Sequence, residues 1–190
     1  GYFVLEQVCE MLKLIRQRVP DFHKKISVNL SIRQLADTKL VDTFEAICKK
    51  HNVPTHQIIF EVTESVMAEN INLLTSVIHA LKTAGFGVAI DDFGTGQSNL
   101  SYISQLPIDE LKIDKSFIDK INNENGEYPI VDTVISMAKA LKLKVVAEGV
   151  ETVTQATYLR SKACDLIQGY YFYKPLLLTD WLELNQQSVN

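Results

Sequence analysis

A repeating order of short β-rich runs and helical stretches constrains this chain more than any other feature. The runs cover Ile26–Ser31, Ile58–Thr63, Gly87–Phe93, Glu110–Phe117, Lys144–Val150 and Leu166–Phe172. Between them, apolar residues recur at three- and four-residue steps. One stripe is Leu40, Val41, Phe44, Ile47 and Cys48; a second is Ile71, Leu74, Val77, Ile78 and Leu81. A third is Ile130, Val131, Val134, Ile135, Ala138 and Leu141. That period predicts amphipathic helices. Strands alternating with helices predict βαβ units, an α/β class and a mainly parallel sheet. With 190 residues, 46% of them hydrophobic, the chain is long enough for one well-buried domain, read as residues 1–190. The run Asn122-Asn123-Glu124-Asn125-Gly126 is read as a surface connection inside that domain.

Successive residues of a strand point to opposite faces. Alternate positions give Ser27/Asn29/Ser31, Ile59/Glu61/Thr63, Gly87/Ala89/Asp91 and Glu110/Lys112/Asp114. The other faces carry Val28/Leu30, Phe60/Val62, Val88/Ile90 and Leu111/Ile113. One face is small or polar and the other bulky and apolar. This suits a (β/α)8 barrel, whose apolar face meets the outer helices and whose catalytic groups come from the C-terminal ends of several strands. An open doubly wound sheet is the alternative; it would gather its ligand groups at one switch point. The barrel reading leaves a shortage, since six runs stand where eight strands are expected. The chain also opens in helical periodicity, with Val4, Leu5, Val8, Met11, Leu12 and Ile15. It is therefore expected to lack about the first two strands of the barrel.

Composition removes several function classes. The formal charge is 19 − 23 = −4, and no basic block argues for a nucleic-acid polymer. Lys24-Lys25 and Lys49-Lys50 read as solvated faces. No apolar run reaches the roughly 20 residues needed to span a bilayer. Cys9, Cys48 and Cys164 fit neither a zinc cluster nor a disulfide framework, and read as buried thiols in a reducing cytosol.

The chemistry concentrates at strand ends. Asp91-Asp92-Phe93-Gly94-Thr95-Gly96 follows the apolar run Val88-Ala89-Ile90. Two adjacent carboxylates there need a cation, a proton or hydrogen bonds. A hard-metal site facing a phosphate would use such a pair; an Asp-capped strand-to-helix turn would look similar. Glu61-Val62-Thr63-Glu64 and Glu148-Gly149-Val150-Glu151 repeat one theme, a carboxylate at a strand end and another three residues on. Glu64 and Glu151 could merely favour a helix dipole. With Asn29, Glu61, Asp91, Asp92 and Glu148, four strands offer oxygen ligands suited to Mg2+ or Mn2+. Lys112 lies between Leu111 and Ile113; it could meet a phosphate or a water, or balance the acids as a salt bridge.

Taken together, these motifs resemble the EAL-domain family of bacterial cyclic di-GMP phosphodiesterases. The resemblance rests on Asn29-Leu30-Ser31 with Gln34, Glu61-Val62-Thr63-Glu64-Ser65, and Asp91 to Gly96 followed by Ser98 and Leu100. It continues through Leu111-Lys112-Ile113-Asp114, Ala147 to Thr152, and Gln168-Gly169-Tyr170 to Pro175. It implies an EAL-type (β/α)8 barrel that hydrolyses cyclic di-GMP to linear pGpG with two ions of Mg2+ or Mn2+. Asn29, Glu61 and Asp91 would hold one ion. Asp91 and Asp92 would hold the other, with Glu148 ligating it directly or through water. Lys112, Glu148 and Glu151 would be catalytic, Lys112 meeting the attacking water or the phosphate. Glu64 would anchor the loop from Phe93 to Leu100. Gln34, Asp114, Gln168 and Pro175 would complete the surroundings of the substrate. The resemblance also implies pairing through the barrel into a homodimer, fusion to sensory or regulatory domains, and a cytoplasmic place, in a protein that could be membrane-anchored.

The Glu-Ala-Leu motif that names the family is absent from this sequence, and with it one metal-ligand Glu. The chain is therefore read as a fragment rather than a naturally shortened member. Gln97 and Asn99 stand where Tyr and Ser are more usual. The motif set favours a phosphodiesterase; the missing Glu is the support for a receptor that binds cyclic di-GMP without cutting it. A ligand-free structural barrel would make all the strand-end polar residues coincidence.

Overall fold

The computed structural model describes residues 1–69, 71–96 and 103–187. Its strands are β1 (Ile26–Asn29), β2 (Ile58–Thr63), β3 (Gly87–Phe93), β4 (Glu110–Ile113), β5 (Lys144–Ala147) and β6 (Leu166–Ile167). The helices are α1 (Tyr2–Arg18), α2 (Ile32–Leu35), α3 (Leu40–Lys50), α4 (Glu64–Glu69), α5 (Ile71–Thr83), α6 (Lys115–Ile118), α7 (Pro129–Ala140), α8 (Val153–Ser161) and α9 (Leu178–Gln187). The strand order is strictly sequential, β1-β2-β3-β4-β5-β6. A doubly wound sheet reverses its order at the switch point; an unbroken sequential order is that of the (β/α) barrel class. None of the described helices is long and apolar enough to cross a membrane.

The chain divides into two compact units. The first comprises Gly1–Glu61, Asn72–Gly87 and Pro175–Asn190. In it α1 buries Leu5, Cys9, Leu12 and Ile15, and α3 buries Leu40, Phe44, Ile47 and Cys48. These stripes meet, which brings Cys9 Sγ within 4.0 Å of Cys48 Sγ. Phe44 stacks on Phe60 with ring centroids 4.5 Å apart, and Phe86 closes edge-on at 5.1 Å from Phe60. β1 and β2 pair in parallel, Ile26 opposite Ile58 and Asn29 opposite Glu61.

The second unit comprises Val62–Ile71 and Val88–Lys174. Here β4 is buried along its whole length, and α7 packs on β4 and β5 through Val131, Val134, Ile135 and Ala138. One device recurs where two strands begin. Asp109 Oδ2 accepts the Val88 N–H, and Asp165 Oδ2 accepts the Val145 N–H, both just before a strand of their own. Each satisfies a buried amide that the ladder leaves over.

Four helices stop by one mechanism. After α3, α5, α7 and α8 a residue takes a positive φ: Asn52 (53°), Gly85 (87°), Lys142 (60°) and Ala163 (55°). The next N–H reaches back to close the helix: Val53 to Cys48 O, Phe86 to Leu81 O, Leu143 to Ala138 O and Cys164 to Leu159 O. Orphan carbonyls are thereby satisfied and an apolar residue is delivered toward the next strand.

β2 and β3 match the sequence reading, and the other strands are shorter than it. β4 ends at Ile113 rather than Phe117, because Asp114 accepts the Ser116 N–H and caps α6. β5 ends at Ala147 because Gly149 turns the chain at φ 67°. β6 is two residues long rather than seven, since the chain turns back to bond Phe172 N–H to Gly169 O. A Cβ at Gly169 would lie 2.2 Å from Val150 O, so only glycine permits that approach.

Candidate active site

In the second unit, the ends of β3, β4 and β5 bring four charged groups together. β3 and β4 run in regular register through Ile90 and Leu111, but the next paired residues are Phe93 and Ile113. Two residues of β3, Asp91 and Asp92, thus stand opposite one of β4, Lys112. This is a β-bulge. Asp92 lies in the left-handed region at φ 55°, where Asp is more tolerated than most residues. In a regular strand adjacent side chains diverge to opposite faces; the bulge lets both aspartates serve one site. Ligand oxygens of Asp91, Asp92 and Glu148 all lie within 4.8 Å of one another.

Lys112 sits among these acids with its side chain 7% exposed. Its Nζ lies 3.1 Å from Asp91 Oδ1 and 2.7 Å from Glu148 Oε1. Glu148 Oε1 also accepts Gln168 Nε2 at 2.8 Å, and the Glu148 N–H binds Ile113 O at the end of β4. Three carboxylates against one ammonium leave a formal charge of −3 + 1 = −2. The donors are all oxygen, and the charge suits a divalent hard cation; the residues fit such an ion.

Glu64 is buried, and its Oε2 accepts the N–H groups of Gly94 (2.7 Å) and Gly96 (3.2 Å). The segment that leaves the aspartate pair is tied there; the Thr95 hydroxyl also binds Asp92 O at 2.9 Å. Gln97, Ser98, Asn99 and Leu100, the rest of the expected loop, lie outside the described residues.

The remaining sequence-derived residues divide. Asn29 and Glu61 are register partners in the first unit, Asn29 exposed and Glu61 buried. Gln34 Oε1 accepts the Ser31 N–H and hydroxyl, a capping-box role. Asp114 is the cap of α6. Pro175 is exposed. Glu151 pairs at 2.7 Å with Lys115, which also reaches Asp119 at 3.0 Å. Glu151 first and Asp119 second raise the Lys115 ammonium above its ordinary pKa. Sequence reasoning does not single out Lys115. A signal exists in its position directly after Asp114, at the start of the helix that follows the strand carrying Lys112.

A barrel-class chain with an acidic, lysine-centred cluster at its strand ends defines the class of the protein. The EAL domain profile matches residues 1–175. MucR of Pseudomonas aeruginosa, a bifunctional diguanylate cyclase/cyclic di-GMP phosphodiesterase, is 36% identical over 177 residues, covering 93% of this chain and 26% of MucR. The oxygen sensor protein DosP of Escherichia coli is 37% identical over 177 residues, covering 93% and 22%. Among solved structures, the EAL domain of Mycobacterium smegmatis DcpA superposes with a TM-score of 0.91 at 36% identity, covering 98% of this chain and 84% of that one. The chain belongs to the EAL domain family. It spans about a quarter of the length of these curated relatives.

Proposed function

We propose that this protein is a metal-dependent phosphodiesterase that opens cyclic di-GMP to linear pGpG, and that residues 1–190 form one EAL-type domain carrying its catalytic centre. The observation that carries this reading is the gathering of Asp91, Asp92 and Glu148 around buried Lys112. Family membership and the naming of MucR as a cyclic di-GMP phosphodiesterase supply the substrate.

Asp91, Asp92 and Glu148 would hold Mg2+ or Mn2+. Asn29 and Glu61 enter the ligand set, and a second ion with them, through the family resemblance. When bound, such ions lower the pKa of water and offset charge on the phosphate. The chain's own groups do the rest. Lys112, fixed between Asp91 and Glu148, orients the attacking water or a phosphate oxygen. Gln168 holds Glu148 toward the cluster, and Glu64 fixes the backbone that leaves Asp92. Glu151 supports the β5 end, and Gln34, Asp114 and Pro175 enter the surroundings of the substrate through the family resemblance. Water adds to one phosphorus, one P–O ester bond breaks, and the departing sugar oxygen takes the proton.

The domain would work in the cytoplasm as part of a longer signalling protein, paired with a second copy. The sensor role named for DosP supports the place within a longer signalling protein; the cytoplasmic location and the pairing rest on the family resemblance. The test is chromatography of cyclic di-GMP incubated with the full-length protein, with and without Mg2+. Metal-dependent pGpG is the expected result. Bound but uncut cyclic di-GMP would overturn the enzyme reading.

A further inference from the structure

Glu148 brings a carboxylate to the cluster, but the residue after it is Gly149, at φ 67°. A glycine beside a ligand would leave that ligand loosely aimed unless something else confined the backbone. Lys115 occupies the space where a Gly149 side chain would lie. A Cβ there would come 2.4 Å from Lys115 Cγ, 2.6 Å from Cδ and 2.7 Å from Cβ. Beyond Gly149 the Lys115 ammonium binds Glu151 Oε1 at 2.7 Å, and Asp119 Oδ1, at the C-cap of α6, holds it at 3.0 Å.

Other bonds fix both sides of this crossing. The Glu148 N–H is held by Ile113 O and the Val150 N–H by Gln168 O. The Glu151 N–H is held by Gln155 Oε1 at 2.7 Å, and Gln155 Nε2 binds Ile118 O at the end of α6. The turn at Gly149 therefore has its neighbours tied to the end of β4, to Gln168 just past β6 and to Gln155 of α8, and Lys115 is the side chain laid across it.

We propose that Lys115 is a positioning residue: its stem crosses Gly149, its ammonium pins Glu151, and together they aim the Glu148 carboxylate at the aspartate pair. This rests on the metal-hydrolase reading above. It assigns Gly149 a reason beyond backbone geometry, because the absent Cβ is what admits the lysine. It also gives Glu151 a part at a distance from the reacting atoms, as the anchor of the strap.

Direct titration of the full-length protein with Mn2+ alone, followed by the loss of the free-ion electron spin resonance signal, tests it. Lys115→Met should weaken Mn2+ binding about tenfold, as for loss of a group that orients a metal ligand. Lys115→Arg, which keeps a long stem and a cation, should recover most of it. Glu151→Gln should weaken binding less, since Asp119 still holds the ammonium that the methionine variant lacks, and it serves if the methionine variant fails to fold. A purely structural lysine would lower the melting temperature and leave the Mn2+ affinity of the folded protein unchanged; that result overturns the proposal. Wild-type protein that binds no Mn2+ would overturn the metal reading beneath it, an outcome distinct from wild-type binding with an unaffected Lys115→Met.

Discussion

Replacing Lys112 with Met tests the electrostatics of the cluster most directly. Methionine keeps most of the volume and removes only the charge. The ammonium lies 3.1 Å from Asp91 and 2.7 Å from Glu148. At an effective dielectric constant of about 20 those contacts are worth roughly 5 and 6 kcal/mol. Desolvation of a side chain only 7% exposed consumes much of that sum. What remains after the substitution is a set of acids without their cation, and breaking a buried pair in this way costs about 3–5 kcal/mol. For a unit of this size the melting temperature should fall by on the order of 10 °C in EDTA. Millimolar Mn2+ should then stabilise Lys112→Met more than wild type, because the ion replaces the missing positive charge. Thermal unfolding of the full-length protein, with EDTA and with Mn2+, reads both effects. A midpoint within about 2 °C of wild type in EDTA, or an equal gain from Mn2+ in both proteins, would refute the reasoning.

Asp91→Asn should abolish pGpG formation with the circular dichroism spectrum unchanged; full turnover would remove Asp91 from the centre. Glu64→Ala takes one charged acceptor from two backbone N–H groups, a loss on the order of 3 kcal/mol, and should lower turnover at least tenfold; a urea midpoint and rate like wild type would contradict this. Ala163→Gly relieves a left-handed alanine at φ 55° and should raise stability by up to about 1 kcal/mol in urea unfolding, after the entropy of the added glycine is subtracted. Burial pushes the Cys164 thiol up to about 11. The folded chain keeps this proton while the unfolded chain loses it near pH 9, so stability should fade as pH rises from about 9 to 11. Cys164→Ala should flatten that part of the pH profile, and identical profiles would count against it.

The legible parts of this fold were those written in one residue type at a regular period. The stripes of α1, α3, α5 and α7 follow from apolar spacing, and so do the limits of β2 and β3. Strand ends were less legible, because β-rich composition runs on past the point where a cap or a turn takes over. Asp114 ends β4 through one hydrogen bond that composition does not reveal. Three of the four left-handed helix stops fall on Asn52, Lys142 and Ala163, where no glycine announces them. In the site, strand alternation points to Asp91 and Lys112, and the repeated pair of carboxylates three residues apart to Glu148, but alternation would send Asp92 to the opposite face. The bulge that reconciles the aspartates depends on a pairing offset between β3 and β4, which only the partner strand can define. Glu64 and Glu151 look alike in sequence, yet one binds Gly94 and Gly96 while the other binds Lys115. Their difference lies in what the fold sets opposite each.

The offset between β3 and β4 sets two qualities of this protein against each other. Dropping either aspartate would restore one-to-one pairing between the two strands. The same single-residue event would remove one tooth of a two-toothed pincer. A lineage drifting toward a sturdier barrel at this point would therefore pass through loss of the pincer, and one that keeps the pincer keeps a seam in its sheet. Sheet regularity and paired chelation cannot both be maximised at Asp91 and Asp92.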